Sequence, residues 1–168
     1  MRLEVFPAFI TLIVWQPLIN VSYMKKEDFK FSVDIPVRFS DMDALGHVNN
    51  ATYISYFEEG RVHYLRNLFE IPKDDTSSLG IIVLDMHCNY RSPAYYGEVL
   101  RVFTRITWLK NKSFEMTYLI TDAIDGRKVA DGSSVLVAYD YSGRKTTEIP
   151  PDFREKISSF EGISPISG

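Results

Sequence analysis

The segment SDMDALGHVN, residues 40–49, gathers the side chains best suited to chemistry just ahead of a predicted helix. It contains the carboxylates of Asp41 and Asp43 and the imidazole of His47, and Gly46 gives its backbone freedom for a close approach to a substrate. The first N–H groups of a helix lack partners within the helix and stabilise a developing oxyanion. A carboxylate facing a carbonyl group held there could attack it or activate water. In the alternative interpretation, an aspartate caps a turn and His47 lies on the surface.

Other reactive side chains are weaker candidates. Glu58 and Glu59 are adjacent on the predicted helix, where a solvated helix face is the usual role of such a pair. His63 and His87 have no paired spacing with Cys, Asp or Glu, so we predict no metal site and a structural or solvent-facing role for both. Cys88 lies in an apolar, alternating segment and is expected to be an inert core thiol.

The composition is that of one ordinary globular domain. The chain has 168 residues, of which 45% are hydrophobic and 24% charged. Its net charge is −3 without a block of like charges, so it lacks the broad basic face that nucleic-acid binding requires. A single cysteine forms no internal disulfide, which fits a reducing compartment and predicts a cytoplasmic protein.

Residues 1–23 stand apart from the rest. They contain an apolar run over 6–15 with one basic residue ahead of it and no small-residue cleavage site after it. The run is too short to span a bilayer, which takes about 20 apolar residues. Met24 directly precedes the first patterned strand. We therefore predict a domain over 24–168 and an N-terminal extension over 1–23, which is a start-site artefact or dispensable segment, a signal-like segment or anchor, or an extra packed segment.

The first half of the domain predicts one strand and one long helix. Every odd position from 29 to 39 is apolar, the period of a strand with one buried face. Pro36 removes a hydrogen-bond donor, which favours a sheet edge or a bulge. Asn49 and Asn50 are good helix N-caps. Apolar residues at three- and four-residue spacing then predict a helix over 50–69 that ends before Pro72.

The second half predicts strands only, over 81–90, 99–109, 114–121 and 129–139, followed by a short helix that opens at Pro151. Asp125-Gly126 is typical of a tight hairpin between the last two strands. One strand, one helix and four antiparallel strands form an α+β order. The simplest packing for this order curls the sheet around the helix.

Several blocks of the sequence resemble one enzyme family. Residues 37–61, VRFSDMDALGHVNNATYISYFEEGR, are similar to the signature of the 4-hydroxybenzoyl-CoA thioesterase family of hot-dog proteins and to bacterial long-chain acyl-CoA thioesterases. The pattern D-x-D-x-x-x-H-V-N-N is also similar to acyl-ACP thioesterases, and residues 89–100 and 108–114 resemble later parts of the family, so that the resemblance covers about 29–153. It implies a hot-dog fold, an antiparallel sheet wrapped around one long helix, and hydrolysis of an acyl-CoA thioester without a cofactor, in fatty acid metabolism.

The resemblance assigns roles to three residues of the loop. Asp43 matches the catalytic carboxylate, which acts as a nucleophile or as a general base for water. The backbone N–H of Asn50 matches the donor that polarises the thioester carbonyl. His47 matches the histidine of the acyl-ACP branch, although that branch has an asparagine where this chain has Leu45. Another hot-dog branch uses a helix glutamate, for which Glu58 is the nearest candidate here.

The resemblance also predicts how substrate is held. Lys110 and Lys112 match basic residues that bind the phosphates of coenzyme A, with a solvated hairpin turn as the alternative, and Arg91 could contribute similarly. The acyl chain is expected in an apolar slot beside the helix, lined by aromatic residues such as Tyr53.

The resemblance implies a homodimer, with two sheets joined edge to edge and sites at the interface, often paired into a homotetramer. Two alternatives stay open: a non-catalytic module that binds acyl thioesters or a protein partner, and an acyl-ACP thioesterase. A hot-dog dehydratase requires an Asp/His pair in a different local motif, which we do not find.

Overall fold

The computed structural model describes residues 24–72 and 80–166 and shows six antiparallel strands and two helices. The strands are β1 (Ser32–Pro36), β2 (Ile81–Tyr90), β3 (Val99–Leu109), β4 (Ser113–Asp122), β5 (Lys128–Asp140) and β6 (Lys145–Thr146), and the helices are α1 (Thr52–Phe69) and α2 (Pro151–Glu161). The main path of the sheet runs β1-β3-β4-β5-β2, and β6 pairs with β5. The predicted α+β order is confirmed.

Helix α1 packs on one face of the sheet because the central strands present an apolar row to it. Four alternate residues of β4 are buried there: Phe114, Met116, Tyr118 and Ile120. The ring of Phe57 in α1 stacks on that of Tyr118 with centroids 4.6 Å apart. The core of the domain therefore lies between α1 and the sheet, as the period-two pattern of β4 predicts.

Two glycines set how closely the helix approaches the sheet. A Cβ atom on Gly60 of α1 would lie 2.7 Å from Oγ1 of Thr104 and 2.8 Å from Cγ1 of Val102 in β3. A Cβ atom on Gly132 of β5 would lie 2.7 Å from the ring of Phe57. Both distances are well inside van der Waals contact, so these two positions have no room for a side chain.

The first strand is shorter than its apolar pattern predicts. It pairs only with β3 among the residues that the structure describes, which confirms the edge position expected from Pro36. The strand ends at Pro36, and the chain turns through a 3₁₀ segment over Phe39–Asp41. Phe39 is 79% exposed, so the prediction of a buried odd position is wrong there. The alternation fails because residue 39 no longer belongs to a strand; its ring instead packs edge-on against Tyr96.

The helices agree with their predicted limits to within two residues. Helix α1 begins at Thr52 rather than at 50 and ends at Phe69, where Glu70 adopts a left-handed conformation. Helix α2 begins at Pro151, as predicted. Its last residue, Glu161, accepts hydrogen bonds from the Tyr64 hydroxyl and from the N–H of Ile106, and thereby fixes α2 to α1 and β3.

The prediction for residues 1–23 lies outside the described residues. Within the part of the chain that is described, no helix is long and apolar enough to cross a membrane.

Candidate active site

The loop before α1 folds back on itself around Gly46 and presents Asp43. The N–H of Asp43 donates to the carbonyl of His47 at 2.9 Å, and that of Gly46 donates to the carbonyl of Asp43 at 3.1 Å. Gly46 has a φ of 82°, a value that favours glycine. The N–H of Leu45 donates to Oδ1 of Asp43 at 2.8 Å and orients the carboxylate.

Asp41, two residues earlier, stabilises the conformation of this loop. It is buried, and its Oδ2 accepts hydrogen bonds from the N–H of Arg38 at 2.8 Å and from the hydroxyl of Tyr56 at 2.9 Å. Burial raises the pKa of this carboxyl, but the hydrogen bonds from Arg38 and Tyr56 outweigh it and hold the pKa below its usual value. Asp41 therefore has a structural role, because its oxygens accept hydrogen bonds that stabilise the loop.

Asn49 accepts two hydrogen bonds in the turn that leads into α1. Oδ1 of Asn49 accepts from the N–H of Ala51 and its carbonyl accepts from the N–H of Thr52, both at 2.9 Å. The N–H of Asn50 has no acceptor among the described residues. Asn50 is therefore not the cap that its residue type suggested, but its backbone keeps an unpaired donor at the helix start.

A cavity of about 460 Å³ brings together four of the predicted site residues: Asp43, His47, Asn50 and Tyr53. The side chain of Asp43 is 20% exposed, so its carboxylate is sheltered and still within reach of a ligand. Nδ1 of His47 lies 3.5 Å from Oδ2 of Asp43 and 3.2 Å from the carbonyl oxygen of Val48. The site thus combines a carboxylate, an imidazole and a free backbone donor.

Tyr90, the last residue of β2, also lines this cavity, and the sequence analysis did not single it out. Its hydroxyl donates to the carbonyl of Asn50 at 3.0 Å, and its ring packs edge-on against Tyr53 at 5.3 Å. This hydrogen bond ties the edge strand to the turn that carries the free donor. The available signal was the segment NYRSP within residues 89–100, which places a tyrosine at the end of a strand.

Arg91 lines the cavity as well, and its guanidinium is bound to Asp131. Nε of Arg91 donates to Oδ2 of Asp131 at 2.6 Å, and Nη2 donates to Oδ1 at 3.1 Å. Lys128 lies 3.0 Å from the same Asp131 carboxylate. This pairing fixes Arg91 at the wall of the site.

Lys110 and Lys112 lie at the opposite end of the sheet from Asp43. They belong to the turn between β3 and β4, and the carbonyl of Lys112 accepts from the N–H of Ala138, which pairs with Ile81. Ile81 begins β2 and Tyr90 ends it, so the two ends are about 30 Å apart at roughly 3.3 Å per residue. Within one chain, these two lysines therefore lie far from the other predicted site residues.

The remaining candidates lie outside the cavity. Glu58 is exposed and its Oε1 lies 3.4 Å from Nη2 of Arg61, while His63 and His87 form exposed pairs with Glu59 and Asp85. Over residues 24–72 and 80–166, no group of three or more His, Cys, Asp or Glu side chains could hold a metal ion.

Cys88 is half-buried next to the site. Burial raises the pKa of its thiol to about 11, which leaves it protonated and weakly nucleophilic at neutral pH.

Comparison with known protein families finds one match that spans most of the domain. Residues 37–157 match the thioesterase-like superfamily. The chain is 30% identical over 126 residues to the long-chain acyl-CoA thioesterase FadM of Escherichia coli, with 75% of this chain and 96% of that relative covered. It is 22% identical to the acyl-acyl carrier protein thioesterase ATL3 of Arabidopsis thaliana, with 92% and 90% covered.

Solved structures show the same arrangement of sheet and helix. A thioesterase from Thermus thermophilus, complexed with coenzyme A and Zn, matches with a TM-score of 0.71 at 34% identity, covering 82% of this chain and 98% of that one. A predicted thioesterase from Bacillus stearothermophilus matches with a TM-score of 0.70 at 31% identity, covering 77% and 94%. With the topology above, these similarities confirm the predicted hot-dog fold.

Proposed function

Because the chain belongs to the thioesterase-like superfamily, we propose that it hydrolyses an acyl-CoA thioester and releases a carboxylic acid and the free thiol of coenzyme A. One observation carries the proposal: Asp43 and Asn50 line the same cavity, and the N–H of Asn50 has no acceptor among the described residues. A thioester carbonyl placed between them has a base or nucleophile on one side and an oxyanion donor on the other.

In the reaction, water or Asp43 itself supplies the attacking oxygen. As a general base, the Asp43 carboxylate takes a proton from water while the water oxygen bonds to the carbonyl carbon, and the N–H of Asn50 stabilises the oxyanion. The intermediate collapses, the C–S bond breaks, and the proton passes from Asp43 to the thiolate. As a nucleophile, the Asp43 carboxylate bonds to the carbonyl carbon, the C–S bond breaks and coenzyme A leaves as its thiolate; water then hydrolyses the acyl anhydride, which frees the acid and Asp43 and supplies the proton that the thiolate takes up. His47, 3.5 Å from the carboxylate, supports either route by orienting it.

We propose that the active unit is a homodimer joined through β2. In the described part of the chain β2 pairs only with β5, and its free outer edge exposes Val83 and Leu84. Such edges are usually covered in native proteins. Two β2 strands paired antiparallel bring the Tyr90 end of each against the Ile81 end of the other. Further pairing into a homotetramer stays a prediction.

The same pairing gives Lys110 and Lys112 a role. Their turn lies beyond the Ile81 end of β2, so the turn of the partner subunit comes near the site of the first. We propose that Lys110 and Lys112 of the partner subunit bind the phosphates of coenzyme A, and that Tyr53 contacts the acyl group beside the helix. The proposed location is the cytoplasm, supported by the single cysteine, Cys88, which forms no internal disulfide.

The acyl-ACP thioesterase alternative rests on the contact between Asp43 and His47 and on the similarity to ATL3. Leu45, which occupies the place of that branch's asparagine, lacks the amide, so we favour coenzyme A as the carrier.

A thiol-release assay with tetradecanoyl-CoA tests the proposed function. A chromogenic disulfide detects the released thiol, and the high pKa of Cys88 keeps the background low. We expect turnover of order 10 per second, the usual range for enzymes. Turnover only with tetradecanoyl-carrier protein would favour the acyl-ACP alternative. Saturable binding of tetradecanoyl-CoA without thiol release would overturn the proposal in favour of a non-catalytic binding module.

A further inference from the structure

The side chain of Arg127 joins the hairpin between β4 and β5 to residues 91–98, which connect β2 with β3. Its Nη1 donates to Oγ of Ser92 at 3.0 Å and to the carbonyl of Pro93 at 2.5 Å, and its Nη2 donates to Oε1 of Glu98 at 2.8 Å. The guanidinium is planar, so its nitrogens keep a fixed distance from each other. One side chain therefore holds both ends of this connection.

The hairpin gives Arg127 a well-defined base. The N–H of Arg127 donates to Oδ1 of Asp125 at 2.7 Å, and its carbonyl accepts from the N–H of Asp122 at 2.9 Å. Oδ1 of Asp122 accepts from the N–H groups of Ile124 and Asp125 at 2.7 and 3.1 Å. Because the hairpin is closed by its own hydrogen bonds, Arg127 imposes a fixed position on the residues that it contacts.

Ala94 lies between the two points that Arg127 holds. On one side, Arg127 binds the carbonyl of Pro93. On the other side, the N–H of Tyr95 donates to Oε2 of Glu98 at 3.1 Å, while Oε1 of the same carboxylate binds Arg127. The position of Ala94 is therefore fixed through both of its neighbours.

Ala94 in turn supports the loop that carries Asp43. Its carbonyl accepts from the N–H of Val48 at 2.9 Å, and both residues are buried. Val48 directly follows His47, whose carbonyl accepts from the N–H of Asp43 at 2.9 Å. A displacement of Ala94 therefore displaces the backbone that sets the position of the Asp43 carboxylate.

We propose that Arg127 is a positioning residue for the reaction: through residues 91–98 it sets the position of the loop that carries Asp43. The inference rests on the proposed function and adds a residue that is not among those lining the cavity. An error of about 1 Å in the placement of a reacting group can cost about a hundredfold in rate. The hydrogen bond between Val48 and Ala94 does not itself require Arg127, so we expect a smaller loss without this side chain.

Arg127→Met tests the inference, because it removes the donors and keeps an unbranched side chain. We expect kcat for tetradecanoyl-CoA to fall about tenfold while KM changes less than about twofold, since the defect lies in the placement of Asp43 and not in substrate binding. Arg101→Met is the matched control. Nε and Nη2 of Arg101 donate to Asp34 at 2.6 and 2.7 Å and join β3 to β1. The control should retain the wild-type kcat.

Arg127→Lys keeps the positive charge and stays informative if Arg127→Met folds poorly. A single ammonium group does not reproduce the two-nitrogen fork that binds Pro93 and Glu98 together, so kcat should still fall about threefold. A wild-type kcat in every Arg127 variant that folds would overturn the inference and leave the proposed function intact. A raised KM with unchanged kcat, or an equal loss of kcat in Arg101→Met, would overturn it as well.

If the wild type releases no thiol, the proposed function fails, and the effect of Arg127 on the loop is measured by amide hydrogen exchange. The N–H of Val48 should exchange about tenfold faster in Arg127→Met than in the wild type and in Arg101→Met. Equal exchange rates in the three proteins would show that Arg127 does not fix this loop and would overturn the inference on its own.

Discussion

Two aspartates of the D-x-D segment take different roles because their surroundings differ. Asp41 is buried and uses its oxygens on Arg38 and Tyr56. Asp43 accepts one backbone hydrogen bond, from Leu45, and no described residue donates one to its Oδ2, which lies 3.5 Å from the imidazole of His47. An oxygen without a structural partner at a cavity wall is available for reaction. We therefore assign the proposed catalysis to Asp43 and not to Asp41.

Tyr90 should act on the reaction through the helix start. Tyr90→Phe removes the hydrogen bond to the Asn50 carbonyl, and such a bond contributes about 0.5–1.5 kcal/mol. If it keeps the Asn50 N–H aimed at the oxyanion, we expect kcat to fall roughly three- to tenfold with KM nearly unchanged. Steady-state kinetics on tetradecanoyl-CoA measure this split.

Tyr141→Phe is the matched control for Tyr90. Its hydroxyl also donates to a backbone carbonyl at 3.0 Å, that of Ile81 at the other end of β2. The control should retain the wild-type kcat. Equal loss of kcat in the two variants would assign Tyr90 a general structural role instead of a positioning one.

At the residue scale, the sequence predicts which residues belong to the site better than it predicts the contacts between them. The resemblance selects Asp43, and the structure places it with His47 and Asn50 in one cavity. The free N–H of Asn50 and the hydroxyl of Tyr90 that holds its carbonyl depend on the fold, because β2 and the helix start are forty residues apart. No local pattern encodes such a contact.

Among the elements, α1 shows a conflict between helix propensity and packing. Glycine within a helix is about 1 kcal/mol less favourable than alanine. Gly60 is retained against that preference because β3 lies directly beneath it, with Thr104 and Val102 within 2.8 Å of where a Cβ would be. Glycine at this position lowers the intrinsic stability of the helix and allows its close contact with the sheet.

Gly60→Ala should destabilise the protein in spite of its better helix propensity. Overpacking typically costs about 1–3 kcal/mol, which exceeds the propensity gain of about 1 kcal/mol, so we expect a net loss of up to about 2 kcal/mol. Urea unfolding measures the change. Ser55→Ala, at an exposed position of the same helix, should instead be neutral or stabilising by about 0.5 kcal/mol. A stabilised Gly60→Ala variant would contradict the close packing of α1 on β3.

The element pattern is predictable where periodicity persists and fails where the chain changes direction. The alternation over 81–90 and over β4 gives strands with nearly the observed limits. The same alternation over 29–39 overextends β1, because the 3₁₀ turn at Phe39–Asp41 is stabilised by Asp41 contacts rather than by the apolar pattern. The helix starts at Thr52, with Ala51 as its N-cap, and the side chain of Asn49 accepts from the N–H of Ala51 in the turn before it.

At the scale of the whole molecule, the free edge of β2 predicts self-association. Light scattering at micromolar concentration should give twice the chain mass of 19.4 kDa, or a multiple of it. Replacing Val83 and Leu84 together by lysine places charge on this edge and should shift the protein toward monomer. Because the lysines of the partner subunit are then lost, KM for acyl-CoA should rise.

Ile124→Lys is the control for the edge variant. Ile124 is more exposed than Val83 and Leu84 and lies on the hairpin between β4 and β5. It should leave the mass and KM unchanged. A wild-type protein that scatters as a monomer would contradict the dimer and with it the proposed role of Lys110 and Lys112.

The whole-molecule arrangement of the site could not be predicted from spacing in the sequence. Lys110 and Lys112 are grouped with Asp43 by resemblance, yet the length of the strands separates them within one chain. These lysines can come near a site only if a second copy of the chain pairs along the edge of β2.

The most direct test compares Asp43→Asn with Asp41→Asn, using kcat for tetradecanoyl-CoA and the melting temperature. Asp43→Asn keeps an oxygen for the Leu45 N–H but loses the base or nucleophile, so kcat should fall at least about a hundredfold with an unchanged melting temperature. Asp41→Asn should lower the melting temperature, because a hydrogen bond to a charged group contributes about 1.5–3 kcal/mol. An Asp43→Asn protein that turns over at the wild-type rate would contradict the assignment of the reaction to this carboxylate.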